Sequence, residues 1–257
     1  MRNFWVWVFL MTALLVVTVI CMNEARAESF FDLAFTGEAR GDPRANPEVI
    51  ARAREVFSKN PVSRFGGEVV VVSGSTIVAE ETSWPGSMVA VPIDRRYRSE
   101  WPGYQFRRVT ENGVNSHFEV LEPTESFVIM YTKRVRGVQV SYVPWSPHLD
   151  TLALRGTGLM YLRGLLERSQ GRLAKVRSRV DPRKSVAEVV PEDAIFALVL
   201  IEHIDAVAIN SGEPLIPHAQ KVLVTLGANE GDAYNFSRSP AGARGIAQFM
   251  PATYEAT

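Results

Sequence analysis

The chain has 257 residues and a formal net charge of zero at neutral pH, with 46% hydrophobic and 22% charged residues. That length holds one large domain or two small ones around a real core. The balanced charge excludes a global pull toward nucleic acid or an anionic membrane, and the composition excludes wholesale disorder.

Arg2 gives a positive start, and Phe4 to Met22 then run nineteen residues without a charge. The polar stretch Asn23-Glu24-Ala25-Arg26-Ala27 ends in an Ala-x-Ala pattern that suits cleavage after Ala27. The apolar run is also nearly long enough to span a bilayer. Residues 1–27 are therefore expected to be a cleaved signal peptide or a retained membrane anchor. Either places Glu28 onward outside the cytoplasmic membrane, in the periplasm or cell envelope, with membrane contact only through an uncleaved leader. Cys21, the one cysteine, belongs to the apolar run, so no disulfide is expected in the exported part.

Residues 28–65 form an N-terminal helical and linker segment. Asn46-Pro47-Glu48 predicts a helix through Phe57, because Asn caps, Pro suits the first turn and Glu favours the positive end of the helix dipole. Residues 66–150 change character. Short β-branched or alternating runs at 68–72, 75–78, 88–91, 127–130 and 138–142 are broken by Trp84-Pro85-Gly86, Trp101-Pro102-Gly103 and Asn112-Gly113. They predict a small β-rich domain of five to seven strands, closed by Pro144 and Pro147.

From Thr151 the pattern turns helical. Leu159, Leu162, Leu165 and Leu166 recur at helical spacing, with Arg and Lys between them through Lys184. That basic face is either a surface for anionic glycan or lipid, or simply solvated. A second helix is expected from Pro191 to Asp205, apolar nearly all round and so buried in a bundle. A third is expected from Pro217 to Glu230-Gly231, where glycine suits a C-terminal cap. The predicted fold class is thus α+β, a β-rich domain followed by an all-α domain over 151–257.

The run from Glu230 to Thr253 carries the chemistry. Ala219, Leu223, Leu226 and Glu230 fall on one helix face, so the carboxylate is expected to be partly desolvated, which favours the protonated form a general acid needs. The helix C-terminus acts in the same direction. A polar loop follows, then Gly242-Ala243-Arg244-Gly245, whose small residues permit tight turning, then Gln248-Phe249-Met250-Pro251. Glu202, in the preceding apolar helix, is the rival acid. Glu202-His203-x-Asp205 lacks a spaced second histidine, so neither metal nor cofactor is expected. A Ser-His-Asp hydrolase finds no support in the four histidines. Trp84, Trp101, Tyr104 and Trp145 are either sugar-stacking rings or the packing of a small β-domain.

The run resembles the catalytic domain of soluble lytic transglycosylases, a lysozyme-like family. There a helix-terminal Glu precedes a Ser, then Gly-Ala-x-Gly-x-x-Gln-x-Met-Pro-x-Thr. From Glu230 the offsets are nine to Ser239, twelve to Gly242, fifteen to Gly245, eighteen to Gln248 and twenty to Met250. The resemblance covers 190–257, about a quarter of the chain. It implies Glu230 as catalytic acid and base, and Ser239, Gln248, Met250 and Tyr234 as glycan-cleft residues. The implied partners are peptidoglycan glycan strands and proteins of an envelope complex. The implied reaction breaks the β-1,4 bond between N-acetylmuramic acid and N-acetylglucosamine, leaving a 1,6-anhydro product. A muramidase using water on the same bond is a close variant. Gly231 stands where the family has Ser directly after the Glu, with Tyr234 or Asn235 as the nearest replacements. The family's domain continues past its Met-Pro motif, so the lysozyme-like part is expected to be incomplete at Thr257, and a glycan-binding or assembly protein without catalysis is the second reading.

Overall fold

The computed structural model describes residues 34–59, 70–73, 76–79, 88–92, 105–109, 117–122, 127–135, 138–204, 206–234, 242–243, 245–248 and 250. The leader at 1–27, Trp84, Trp101, Tyr104, Asp205, Asn235 and Ser239 lie outside them. The described part is a mixed α/β structure, about 55% helical with a small, largely antiparallel sheet. Among the described residues no helix is long and apolar enough to cross a membrane.

Helix α1 covers Pro47–Lys59 and begins as its sequence predicts: the Asn46 side chain accepts a hydrogen bond from the Val49 N–H at 3.0 Å. Among the described residues seven strands follow: β1 (Val70–Ser73), β2 (Thr76–Ala79), β3 (Met88–Pro92), β4 (Gln105–Arg108), β5 (Phe118–Glu122), β6 (Phe127–Val135) and β7 (Val138–Tyr142). Five form one sheet in the order β2-β1-β3-β6-β7, while β4 and β5 pair separately. All pairs are antiparallel except β3 with β6, where Val89 faces Phe127 and Pro92 faces Met130 in parallel register. The β4–β5 pair lies in the crossover between those two strands. It was hidden from periodicity because Gln105-Phe106-Arg107-Arg108 has one apolar residue in four, but Phe106 meets the fully buried Phe118 edge-on at 5.4 Å.

The helical body comprises α2 (Leu152–Leu173), α3 (Val186–Val189), α4 (Glu192–Ile201), α5 (Ala206–Ser211) and α6 (Leu215–Asn229). Its core joins Leu159, Leu162 and Leu166 of α2, Phe196, Val199 and Leu200 of α4, and Ala219, Val222, Leu223 and Leu226 of α6. Two glycines let α2 and α6 touch backbone to backbone. A Cβ on Gly158 would sit 1.9 Å from the Leu223 carbonyl oxygen, and one on Gly227 would sit 2.1 Å from that of Leu154. No other residue fits at either point.

The helical pattern predicted through Lys184 stops at Leu173. Beyond it Ser178, Asp181 and Pro182 supply turn chemistry that competes with the helix. The second helix is also shorter than expected, Glu192–Ile201 rather than 191–205.

Helix α1 packs against both β7 and α6, so the two regions interlock through it. Arg155, 2% exposed, holds Asp150 through two bonds of 2.7 and 2.8 Å and reaches the carbonyls of Thr36 and Glu38. Gln220 of α6 donates to the Thr36 carbonyl at 2.7 Å. The segment before α1 is therefore fastened to the helical body at several points.

Candidate functional site

Helix α6 is a buried rod: every residue from Val222 to Asn229 is buried. The rod ends where Glu230 takes φ +45° and ψ −122°, and a short 3-10 turn, Glu230–Asp232, carries the chain outward before Ala233 and Tyr234 re-enter the core. Glu230 is thus the start of a brief exposed arc between two buried anchors. The expectation that it continues the apolar face and is desolvated is not met, because the backbone leaves the helix at this residue and the carboxylate faces solvent. The cap also sits one residue earlier than predicted, on Glu230 rather than Gly231.

Both anchors are tightly held. Asn229, 0% exposed, accepts from the Val143 N–H at 2.8 Å and donates to the Val143 carbonyl at 2.8 Å, mimicking a strand partner at the end of the sheet. Its amide also donates to the Thr225 carbonyl at 3.0 Å. Arg54 of α1 pairs with Asp232 at 2.5 Å and donates to the Ser141 carbonyl at 3.0 Å. On the far side, the Tyr234 ring stacks on His203 at 3.5 Å with an 18° tilt. Its hydroxyl pairs with Thr225, and burial pushes its pKa up. Tyr142, wholly buried, receives a backbone hydrogen bond from Tyr234, and its pKa is also raised by burial.

His203 links this arc to the glycine-rich turn. Its Nε2 lies 2.6 Å from the Ile246 carbonyl, which can only accept, so Nε2 carries the proton. Burial lowers its pKa to about 4, opposed by that backbone bond. The turn itself is closed by Gln248, whose backbone N–H and side-chain amide both donate to the Gly245 carbonyl, at 3.2 and 2.7 Å. Met250 is 43% exposed.

Among the described residues, only Glu230 (φ +45°), Tyr234 (φ +62°) and Gln248 (φ +47°) adopt positive φ without being glycine. All three were singled out as site residues on other grounds. Gly242 and Gly245 adopt φ +97° and +75°, as a tight turn requires. Left-handed backbone at a side-chain-bearing residue costs on the order of 1–3 kcal/mol and persists only where surroundings enforce it. Here the enforcers are Asn229, Arg54, His203 and the Tyr142–Tyr234 contact.

The structure joins Glu230, Tyr234 and the 245–248 turn around α6 and His203. It places the Tyr234 ring in the core, where it holds the arc rather than facing a groove. Sequence reasoning set His203 beside a rival acid and missed Arg54 and Asn229 altogether. The one available signal was an amide, Asn229, interrupting the apolar end of α6. Glu202, the rival acid, is half-buried, and loss of solvent raises its pKa. Trp145 lies 5.2 Å from His117 with the Lys221 ammonium 4.8 Å over its ring, so this tryptophan is engaged in packing and a cation–π contact. Among the described residues no group of three or more His, Cys, Asp or Glu side chains could hold a metal. No family model matches the chain, and no curated protein or solved structure matches it either.

Proposed function

We propose that this chain is an exported peptidoglycan lytic transglycosylase whose Glu230 acts first as acid and then as base. The observation that carries the reading is the concentration of strained backbone at Glu230, Tyr234 and Gln248, of which Glu230 and Gln248 stand in the register of the lytic transglycosylase motif. A fold that needs only a helix end would place glycine at residue 230, and Gly231 stands next to it. Retaining a carboxylate there instead argues for a task at that carboxylate.

In this reading Glu230 protonates the oxygen between N-acetylmuramic acid and N-acetylglucosamine as the bond to C1 breaks. The same carboxylate, now ionised, takes the proton of the muramyl C6 hydroxyl, whose oxygen closes onto C1 to give the 1,6-anhydro ring. The nucleophile belongs to the substrate, so one carboxylate suffices where most glycosidases need two. Glycan packing around the exposed arc would supply the desolvation that the free chain lacks at Glu230. Gln248, Met250 and Ser239 would line the cleft, with Ser239 placed by register alone. The finer architecture belongs to the same proposal: a lysozyme-like α-domain over 151–257, preceded by a β-rich domain, in the periplasm or cell envelope.

The exposure of Glu230 favours a second reading, a peptidoglycan-binding or envelope-assembly protein that grips strands without cutting them. Digestion of purified sacculi followed by mass spectrometry separates the two. Anhydromuramyl products from the wild-type chain, absent with Glu230→Gln and retained with Glu202→Gln, support the enzyme. Hydrated reducing ends would indicate a muramidase instead. Binding to sacculi with nothing released leaves the binder standing.

A further inference from the structure

Between α2 and α3 the chain forms a hairpin whose construction is unlike that of a passive connector. Arg177 and Ser185 form an antiparallel bridge, with the Ser178 N–H donating to the Lys184 carbonyl at 2.9 Å and the Val186 N–H to the Val176 carbonyl at 2.8 Å. Inside, the buried Ser178 hydroxyl accepts from the N–H groups of Val180 and Asp181 at 3.1 and 3.3 Å. The Asp181 carboxylate turns back on Arg183, and Lys184 N–H closes onto the Asp181 carbonyl at 3.0 Å. At the base, Ser185 and Glu188 form a complete capping box for α3. The Ser178 and Ser185 hydroxyls that fasten the loop are buried, while the Asp181–Arg183 pair lies at its surface.

What points outward is of two kinds. Val180, at the tip, is 86% exposed and Val176 is 49% exposed. Around them stand Arg172, Lys175, Arg177, Arg179, Arg183 and Lys184, all exposed, against a single acidic residue between 172 and 184, Asp181. A lone exposed valine is ordinary. An exposed valine at the apex of a self-tied hairpin, ringed by six cations in a chain of zero net charge, is a built arrangement. A soluble polyanion would be served by the cations alone and gains nothing from an apolar apex. A bilayer with anionic headgroups uses both, the apolar tip entering the acyl boundary while guanidinium and ammonium groups meet phosphates.

We infer that the 174–185 hairpin is a membrane-contact element that seats the helical body on an anionic phospholipid surface. It stands independently of the glycan chemistry assigned to Glu230. It also differs from the leader at 4–22, whose apolar run carries no charge and would enter any bilayer alike.

The test uses the full chain with Cys21→Ser and Val180→Cys, the new thiol carrying an environment-sensitive fluorophore. It is mixed with vesicles of phosphatidylcholine alone or with about one-third phosphatidylglycerol. A blue shift with the anionic vesicles, small or absent with the neutral ones, is expected. Adding Lys175→Gln and Arg179→Gln should weaken anionic-vesicle binding at least about tenfold, since each cation near such a surface contributes about fivefold. Circular dichroism should show those variants folded, neither side chain being used to close the hairpin. Equal shifts on both vesicle types would overturn the inference, because the leader alone would explain them. A fluorophore that stays in water while the chain binds a soluble anionic polymer would overturn it too, in favour of a polymer site.

Discussion

Helix α6 and the chain that follows it are built on opposite principles. Along α6, contact is made by backbone against backbone at Gly158 and Gly227 and by apolar side chains from Ala219 to Leu226. Among the described residues beyond it, polar ties hold the chain, Arg54 to Asp232 and His203 to Ile246, with Asn229 fastened to Val143 where the rod ends. The first region has no freedom left, while the second spends its ties on keeping three residues in unfavourable backbone. The difference teaches that the rod is a foundation, and that the arc uses its rigidity to hold a shape it would not choose alone.

The comparison breaks most severely at the rod. Alanine is the better helix former by about 1 kcal/mol, so propensity alone predicts that Gly227→Ala stabilises. The 2.1 Å approach to the Leu154 carbonyl reverses that sign, because α2 and α6 must separate along their length. A loss of about 3 kcal/mol or more is expected in denaturant unfolding, with Gly158→Ala equally harmful. An unchanged midpoint would mean that the helices are not in backbone contact.

Next in size is the tie between rod and sheet. Asn229→Ala leaves the Val143 N–H and carbonyl buried without their partner, a loss of about 2–3 kcal/mol. The buried Asn229 is matched to the end of β7, so hydrogen exchange at Val143 should accelerate even where the helices remain protected.

The polar ties of the arc give a smaller, pH-dependent effect. His203 in the folded chain titrates at about 4, below its ordinary 6.5, so the unfolded chain takes up more protons between those values. Its contribution is present above pH 6.5 and is lost as pH falls toward 4, amounting to about 1–2 kcal/mol once residual solvent screening is allowed for. Glu202 works in the opposite sense, since its raised pKa relieves the folded state on acidification. The informative quantity is therefore the difference between wild type and His203→Phe, which keeps a ring against Tyr234 but has nothing to protonate. That difference should shrink across the window in urea titrations. If it stays constant from pH 7 to 4, His203 is not buried in solution and its stack on Tyr234 is not formed.

These contrasts explain what could be read in the sequence. The α1 cap at Asn46, the Val-rich strands and the leucines of α2 were legible because each follows a local rule, whether capping or periodicity. The end of α2 was not, since leucine and arginine spacing continues past Leu173 and only Ser178 with Asp181-Pro182 opposes it. The strand pair β4–β5 depends on Phe106 finding Phe118, a contact between distant parts of the chain that no window reveals. At the site, Glu230 and Gln248 were found by their spacing in a motif. Arg54 was invisible because its partner Asp232 is 178 positions away. The exposure of Glu230 was misread because helical periodicity was carried one residue too far, past the point where φ changes sign.

That change of sign yields the smallest and most specific expectation. Inside a helix, alanine is more stable than glycine by about 1 kcal/mol. At φ +45° and ψ −122° the order should invert, because a Cβ is penalised there and its absence is not. Glu230→Gly should therefore exceed Glu230→Ala by about 1 kcal/mol and match or exceed wild type, its larger unfolded-state entropy offsetting part of the relief. Both variants remove the carboxylate, so both should lose any release of anhydromuramyl products. Stability gained together with activity lost would locate the strain and the chemistry in the same residue. If alanine proves the more stable replacement, residue 230 continues the helix in solution, and the strain-based case for its role collapses even if the motif register stands.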